Sequence, residues 1–400
     1  MLLQYVLETL LQTSRFLGGG KAGKPEIRLI GDDIAGADKY LGGEIGVDGA
    51  IYAVPGHAKR ILKIEGPDKA TVVGPVFEGK YKWLRAARGC DGCLYGVPCH
   101  ALRVLRIRPG SAVAAEEVGP EFPGEWKWHG GVVGSDDAIY CIPQSAERVL
   151  RIAPRKDDGG KPDVELVGPR FPGRWKWYGG LRSGSTIYGI PACADAVLKI
   201  ETSGAVPVVS TIGRVPPGGW LWHGGVVAGD GSIWGVPSNA DEVLKIHGDS
   251  VTLHGKGVFR SGEHRGDDKY KFLGAVVGAD GCVYCIPSDA DFVLKVDPRT
   301  DTVENFGPSL AHLARGRSRG QNKWQNGALL ADGRIYAIPL KCESVLCIDT
   351  ANRRVDLLPH PAPGLNFWEG GVVGADGALY CMPLKASRVL RIAAAAAAAP

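Results

Sequence analysis

Several polar side chains of this chain stand at equivalent places in a repeated phrase, and they are of the types that do chemistry. The phrase reads KWHGGVVGSDDAIYCIP at 127–143, LWHGGVVAGDGSIWGVP at 221–237 and FWEGGVVGADGALYCMP at 367–383. Just before the paired glycines, successive copies carry Leu41, Leu84, His129, Tyr178, His223, Leu273, Gln325 and Glu369. A position that only packs is filled alike each time, and this one is not. Arg85 replaces the first glycine in the second copy and Asn326 does so in the seventh. Imidazoles with a carboxylate have the donor types for metal ligation or proton transfer. A guanidinium offers a paired donor to a carboxylate or phosphate. His129, His223 and Glu369 come from the third, fifth and eighth copies, and no HxxxH spacing supports a metal site. No metal and no cofactor is therefore expected. Arg85, His129, Tyr178, His223, Gln325 and Glu369 are read as a binding set.

A second cluster lies in GPSLAHLARGRSRGQN at 307–322, where Arg315, Arg317 and Arg319 approach Lys323. Arginines separated by Gly and Ser suit an anionic partner. The other long connection, GKGVFRSGEHRGDDKY at 255–270, brings Asp267 and Asp268, which can neutralise part of that charge. A lysine precedes the aromatic residue in six copies, at Lys39, Lys82, Lys127, Lys176, Lys271 and Lys323. His57, His100, Asp289, Lys341 and Lys385 follow the conserved-in-repeat prolines and add polar groups to the same end of the units.

The elements that must position these residues follow from the repeat itself. Eight copies end at Pro55, Pro98, Pro143, Pro191, Pro237, Pro287, Pro339 and Pro383, spaced 43 to 52 residues apart. Such periods mark solenoids, propellers or arrays. Within a unit, GGVVG is a short apolar run, Asp-Gly is a hairpin signal, and IYxIP alternates as a strand up to a proline that ends the ladder. VLKI-type segments supply a third strand and VELVG-type segments a fourth. Four short antiparallel strands per unit predict an all-β, eight-bladed β-propeller, with seven blades as the alternative count. EIRLIG at 26–31 reads as a fourth strand with nothing before it, and the last unit lacks its fourth. The N-terminal strand is thus expected to close the ring. Residues 1–25 read as an amphipathic helical extension, 26–392 as the propeller and 393–400 as a low-complexity alanine tail.

Composition narrows the function. With 47 Lys+Arg against 43 Asp+Glu, the net charge of +4 gives no argument for specific nucleic-acid binding. No apolar run reaches membrane-spanning length. Ten cysteines invite a metal or disulfide reading, but Cys90/Cys93 and Cys282/Cys285 fall in copies two and six, on opposite sides of a ring of eight. Cys141, Cys285 and Cys381 share one strand position with Ala or Gly of other copies, so buried unpaired thiols are expected, as in a reducing compartment. The chain is expected to be a cytoplasmic monomer.

GGVVGADGALYCMP at 370–383 and SRVLRI at 387–392 resemble the blades of NHL-type and streptogramin-lyase-like propellers. The resemblance spans 26–392 and implies a fold, because propellers host many functions. Eight-bladed quinone-dependent dehydrogenases also repeat Trp and Gly, but their longer tryptophan-docking pattern and adjacent cysteine pair are missing here. The expectation is a non-catalytic scaffold that binds a protein or a small anionic ligand on the face built by the fourth-to-first and second-to-third strand loops. The alternative is a metal-dependent propeller hydrolase or lyase.

Overall fold

The computed structural model describes residues 23–156, 160–315, 320–362, 364 and 367–395. Its 32 strands, β1 (Glu26–Ile30) to β32 (Val389–Ala393), form eight four-stranded antiparallel sheets arranged as an eight-bladed propeller. Seven blades are continuous in sequence, the third for example running β10 (Trp128–Val133), β11 (Ile139–Pro143), β12 (Val149–Ala153), β13 (Asp163–Val167). The eighth is composite. β30 (Trp368–Val373), β31 (Leu379–Pro383) and β32 receive β1 as their outer strand, in the register Glu26↔Ala393 to Ile30↔Val389. The ring closes between its ends as the unpaired EIRLIG segment predicts, and β32 runs one residue beyond the expected boundary into Ala393. The helical extension expected at 1–25 falls almost wholly outside the described residues, as does most of the alanine tail.

The core lies between blades rather than inside any one of them. Tyr95 and Val97 of the second blade pack with Trp128, Ile139, Cys141 and Leu150 of the third in one buried cluster. Fully burying an apolar side chain of this size class contributes about 1.5–3 kcal/mol, so each blade is stabilised chiefly by its neighbours.

Three hydrogen-bond rules recur with the repeat and explain its residue choices. The hairpin aspartate uses one oxygen on a backbone N–H of its own turn and the other on a tyrosine hydroxyl. Tyr140 donates to Asp136 at 2.8 Å while the Ala138 N–H donates at 3.2 Å. Tyr52, Tyr95, Tyr284, Tyr336 and Tyr380 repeat this with Asp48, Asp91, Asp280, Asp332 and Asp376. These aspartates are spread around the ring as turn-formers, in accord with the hairpin reading. Next, the indole N–H of Trp83, Trp128, Trp177, Trp222, Trp324 and Trp368 donates to a backbone carbonyl at 2.7–2.9 Å, so these large buried rings leave no polar atom unpaired.

The third rule concerns the repeated lysine. Lys127 is 3% exposed, and its ammonium donates to the carbonyls of Cys99, Ala101 and Gly124, each at 2.9 Å. Lys82 and Lys176 make the equivalent triads. In the six blades that carry it, the ammonium fastens the blade to the one before it. Burial pushes Lys127 down to about 8, and the electrostatic influence of Cys99 and Glu125 acts against that shift.

Candidate functional site

A bulge in the first strand of blades two to eight shapes the ring of divergent residues. In the third blade Trp128 pairs with Pro143 and Gly131 with Cys141, so His129 and Gly130 together face one residue of β11. Gly130 takes a left-handed φ of 78°, as do Gly179 at 74°, Gly224 at 69° and Gly370 at 70°. In these blades the first glycine supplies the left-handed backbone of the bulge, whereas Arg85 holds the same place in the bulged second blade without it. The second glycine answers to crowding: a Cβ on Gly180 would lie 2.7 Å from the Ile142 side chain of the preceding blade. Asn326 takes the first position in the seventh blade at φ 59°, which asparagine tolerates.

The bulge assembles most of the expected binding set. His129 and Tyr178 stack with ring centroids 3.7 Å apart, and His223 follows at 4.1 Å on the other side of Tyr178. Gln325 Nε2 donates to Glu369 Oε1 at 3.2 Å. Burial raises the Glu369 carboxyl above its ordinary value, and burial together with the Arg85 charge lowers His223 to about 3 and His129 well below its usual range. Both imidazoles are thereby held neutral at physiological pH. The Tyr178 hydroxyl is pushed up by the same burial.

Arg85 is the one charge common to all of these groups. Its side chain leaves the second blade and crosses the first. A Cβ on Gly42 would stand 2.8 Å from Arg85 Cδ, and one on Gly370 of the eighth blade 3.1 Å from Arg85 Nη1. Two glycines thus make the bed on which the guanidinium lies. Arg85 has no hydrogen-bond or ion-pair partner among the described residues.

Other expected residues are placed differently. Lys323 is 1% exposed and donates to the carbonyls of Ala290 and Gly320, so it belongs to the lysine fasteners and is withdrawn from any binding face. Buried amine and backbone carbonyls satisfy one another, a pairing that sequence spacing does not reveal. Arg317 and Arg319 lie outside the described residues, together with the Arg315 side chain. The two long loops do meet, His264 Nδ1 lying 2.9 Å from where a Gly320 Cβ would be. Asp267 pairs within its own loop, with Arg265 at 2.6 Å, and Asp268 accepts the Ser261 N–H at 2.9 Å. Among the described residues, no three His, Cys, Asp or Glu side chains are grouped so as to hold a metal ion.

Five aromatic residues escape a reading of the repeat that begins at the lysine: Tyr270 of the sixth blade, with φ of 54°, and four that touch one another. Tyr81, Trp126, Trp175 and Trp220 lie two residues before the buried wedge, in blades two to five, all half-buried on the same face. Tyr81 and Trp126 have centroids 4.7 Å apart, Trp126 and Trp175 5.6 Å, and Trp175 and Trp220 5.4 Å. His57 and His100 interleave, at 4.1 Å and 5.4 Å from Tyr81, and Trp220 touches the inner tier at 5.7 Å from Tyr178. All four have left-handed backbones, with φ of 46°, 51°, 59° and 55°. That conformation costs about 1–3 kcal/mol for a residue other than glycine. The WKW doublets were a visible signal, but nothing local marks a tryptophan as left-handed.

No protein-family model matches the chain, and no curated protein matches it. Solved structures do. A streptogramin B lyase superposes with a TM-score of 0.59 at 12% identity, covering 94% of this chain and 100% of the lyase. A catalytically inactive virginiamycin B lyase from Staphylococcus aureus with quinupristin gives 0.56 at 11%, over 92% and 99%. The WD40 propeller domain of Doa1 gives 0.50 at 13%, over 92% and 96%. At such identities the likeness is one of fold: the chain is a β-propeller similar to the streptogramin-lyase-type ring and to scaffold-type propellers alike.

Proposed function

We propose that the protein is a binding propeller that takes a small organic anion at the mouth of its central channel. The observation that carries this reading is Arg85, a guanidinium bedded on Gly42 and Gly370 that acts on Glu369 only through its charge and has no hydrogen-bond or ion-pair partner among the described residues. A carboxylate or phosphate would give it the bidentate acceptor it lacks. The stacked His129, Tyr178 and His223 offer neutral, flat walls, and Gln325 with Glu369 offers polar contacts. Binding is favoured over proton transfer because imidazoles held this far below neutrality are weak bases.

Thermal shift with succinate, citrate and inorganic phosphate tests the proposal, using the parent and Arg85→Gln. A ligand present at a hundredfold over its Kd stabilises by about 2.7 kcal/mol. At least one anion is expected to raise the melting temperature of the parent and leave Arg85→Gln unmoved. Equal shifts in both proteins, or none in the parent, would remove Arg85 as the anchor.

A further inference from the structure

The aromatic arc of blades two to five carries more than the fold asks of it. At the same left-handed turn, blades one and seven place Asp38 and Asn322, with φ of 53° and 47°. Asp and Asn are among the residues that accept this conformation most readily. Tyr81, Trp126, Trp175, Trp220 and Tyr270 accept it against a steric cost in five consecutive blades, the first four in ring contact with one another and Tyr270 under the Arg265 guanidinium at 5.1 Å. The blade cores do not need their rings, because Trp83, Trp128, Trp177 and Trp222 already fill that place.

The hydrogen-bond inventory points outward. Each core indole N–H has a carbonyl, whereas the indole N–H groups of Trp126, Trp175 and Trp220 donate to nothing among the described residues. Between the rings, His57 Nε2, His100 Nε2 and Ser145 Oγ are buried without a partner. An indole nitrogen donates only. The indoles therefore call for a ligand rich in acceptors, with rigid apolar faces that lie on aromatic rings, while the hydroxyl and the imidazoles can take either role. A proline-rich segment in the polyproline II conformation has that chemistry. Its tertiary amides accept and cannot donate, its rings are apolar, and its extended form is set before binding. A glycan's hydroxyls can accept as well, but each also brings a donor that the indoles cannot receive.

We infer that this arc is a docking surface for a proline-rich segment of a partner protein, laid across blades two to five. The arc is distinct from the Arg85 anchor, and the two can fail separately.

The test is calorimetric titration with an oligoproline peptide, a Gly-Ser peptide of equal length and cellohexaose. The variants are Trp126→Asn, Trp175→Asn and Arg85→Gln, each with its melting temperature. Asparagine is chosen because Asn322 already serves this turn, so the variants should melt at or above the parent temperature. The expected result is saturable binding of oligoproline alone, weakened at least about tenfold in either asparagine variant and unchanged in Arg85→Gln. No saturable binding of oligoproline, binding of cellohexaose in its place, or asparagine variants that bind like the parent would overturn the inference. Asparagine variants that melt well below the parent would also overturn it, by making the rings structural.

Discussion

Arg391 Nη1 donates to Glu26 Oε2 at 2.8 Å, an ion pair between residues 365 positions apart. The same guanidinium reaches Asp376 Oδ2 at 2.7 Å, so the hairpin, third strand and borrowed fourth strand of the last blade share one charge network. Glu26 is half exposed, so its pair alone is worth about 0–1 kcal/mol. The five-residue ladder of β1 on β32 carries the closure instead.

Deleting residues 1–31 should therefore lower the melting temperature of the whole ring, while Glu26→Ala should barely change it. Thermal unfolding of the two variants beside the parent checks this. A deletion that melts like the parent would mean that the ring does not depend on its borrowed strand.

The lysine fasteners predict a different loss. Lys127→Met should destabilise by about 2–3 kcal/mol, because it leaves buried carbonyls of Cys99, Ala101 and Gly124 without their shared donor. The exposed Lys80 is the control, and its alanine variant should stay within about 0.5 kcal/mol of the parent. Urea unfolding at neutral pH measures both.

Thiol chemistry should follow burial. Cys141, Cys285 and Cys381 are at most 1% exposed, and burial raises all three thiols, Cys285 to about 12. The thiolate is the reactive form. Labelling of the native protein with a disulfide reagent at pH 8 should modify exposed Cys90 first and these three only after denaturation. Prompt native labelling of the three would contradict their buried placement.

His129 and His223 give the ring an acid-sensitive element. Their folded values lie below the ordinary 6.5, so the unfolded chain binds protons that the native state refuses. Their contribution is fully present above about 6.5 and is lost as the pH falls toward about 3, the folded value of His223. The slope is at most about 1.4 kcal/mol per pH unit for each histidine. Unfolding free energy measured from pH 7 to pH 5 should fall more steeply in the parent than in the double variant His129→Gln/His223→Gln. Imidazole proton resonances of the two should not titrate in that interval.

Much of this architecture was written in local chemistry. Asp-Gly between a GGVV run and an IYxIP run specifies a hairpin wherever it stands, because turn geometry and side-chain alternation act over a few residues. The repeat spacing then counts the blades, and a lone EIRLIG strand at one end with a missing fourth strand at the other dictates closure. Sequence divergence just ahead of the glycines marked Arg85, His129, Tyr178, His223, Gln325 and Glu369 as unlike packing residues. What that divergence meant was decided by the ring. Only closure brings side chains from four blades to Arg85, and only the bulge turns His129 and His223 onto the two faces of Tyr178. Lys323 and its five counterparts look in sequence like a basic surface, yet interblade packing buries them under carbonyls contributed by the preceding blade and by their own turn. The left-handed Trp126, Trp175 and Trp220 were the least legible, because a backbone angle imposed by the blade entry overrides what those residues prefer by themselves.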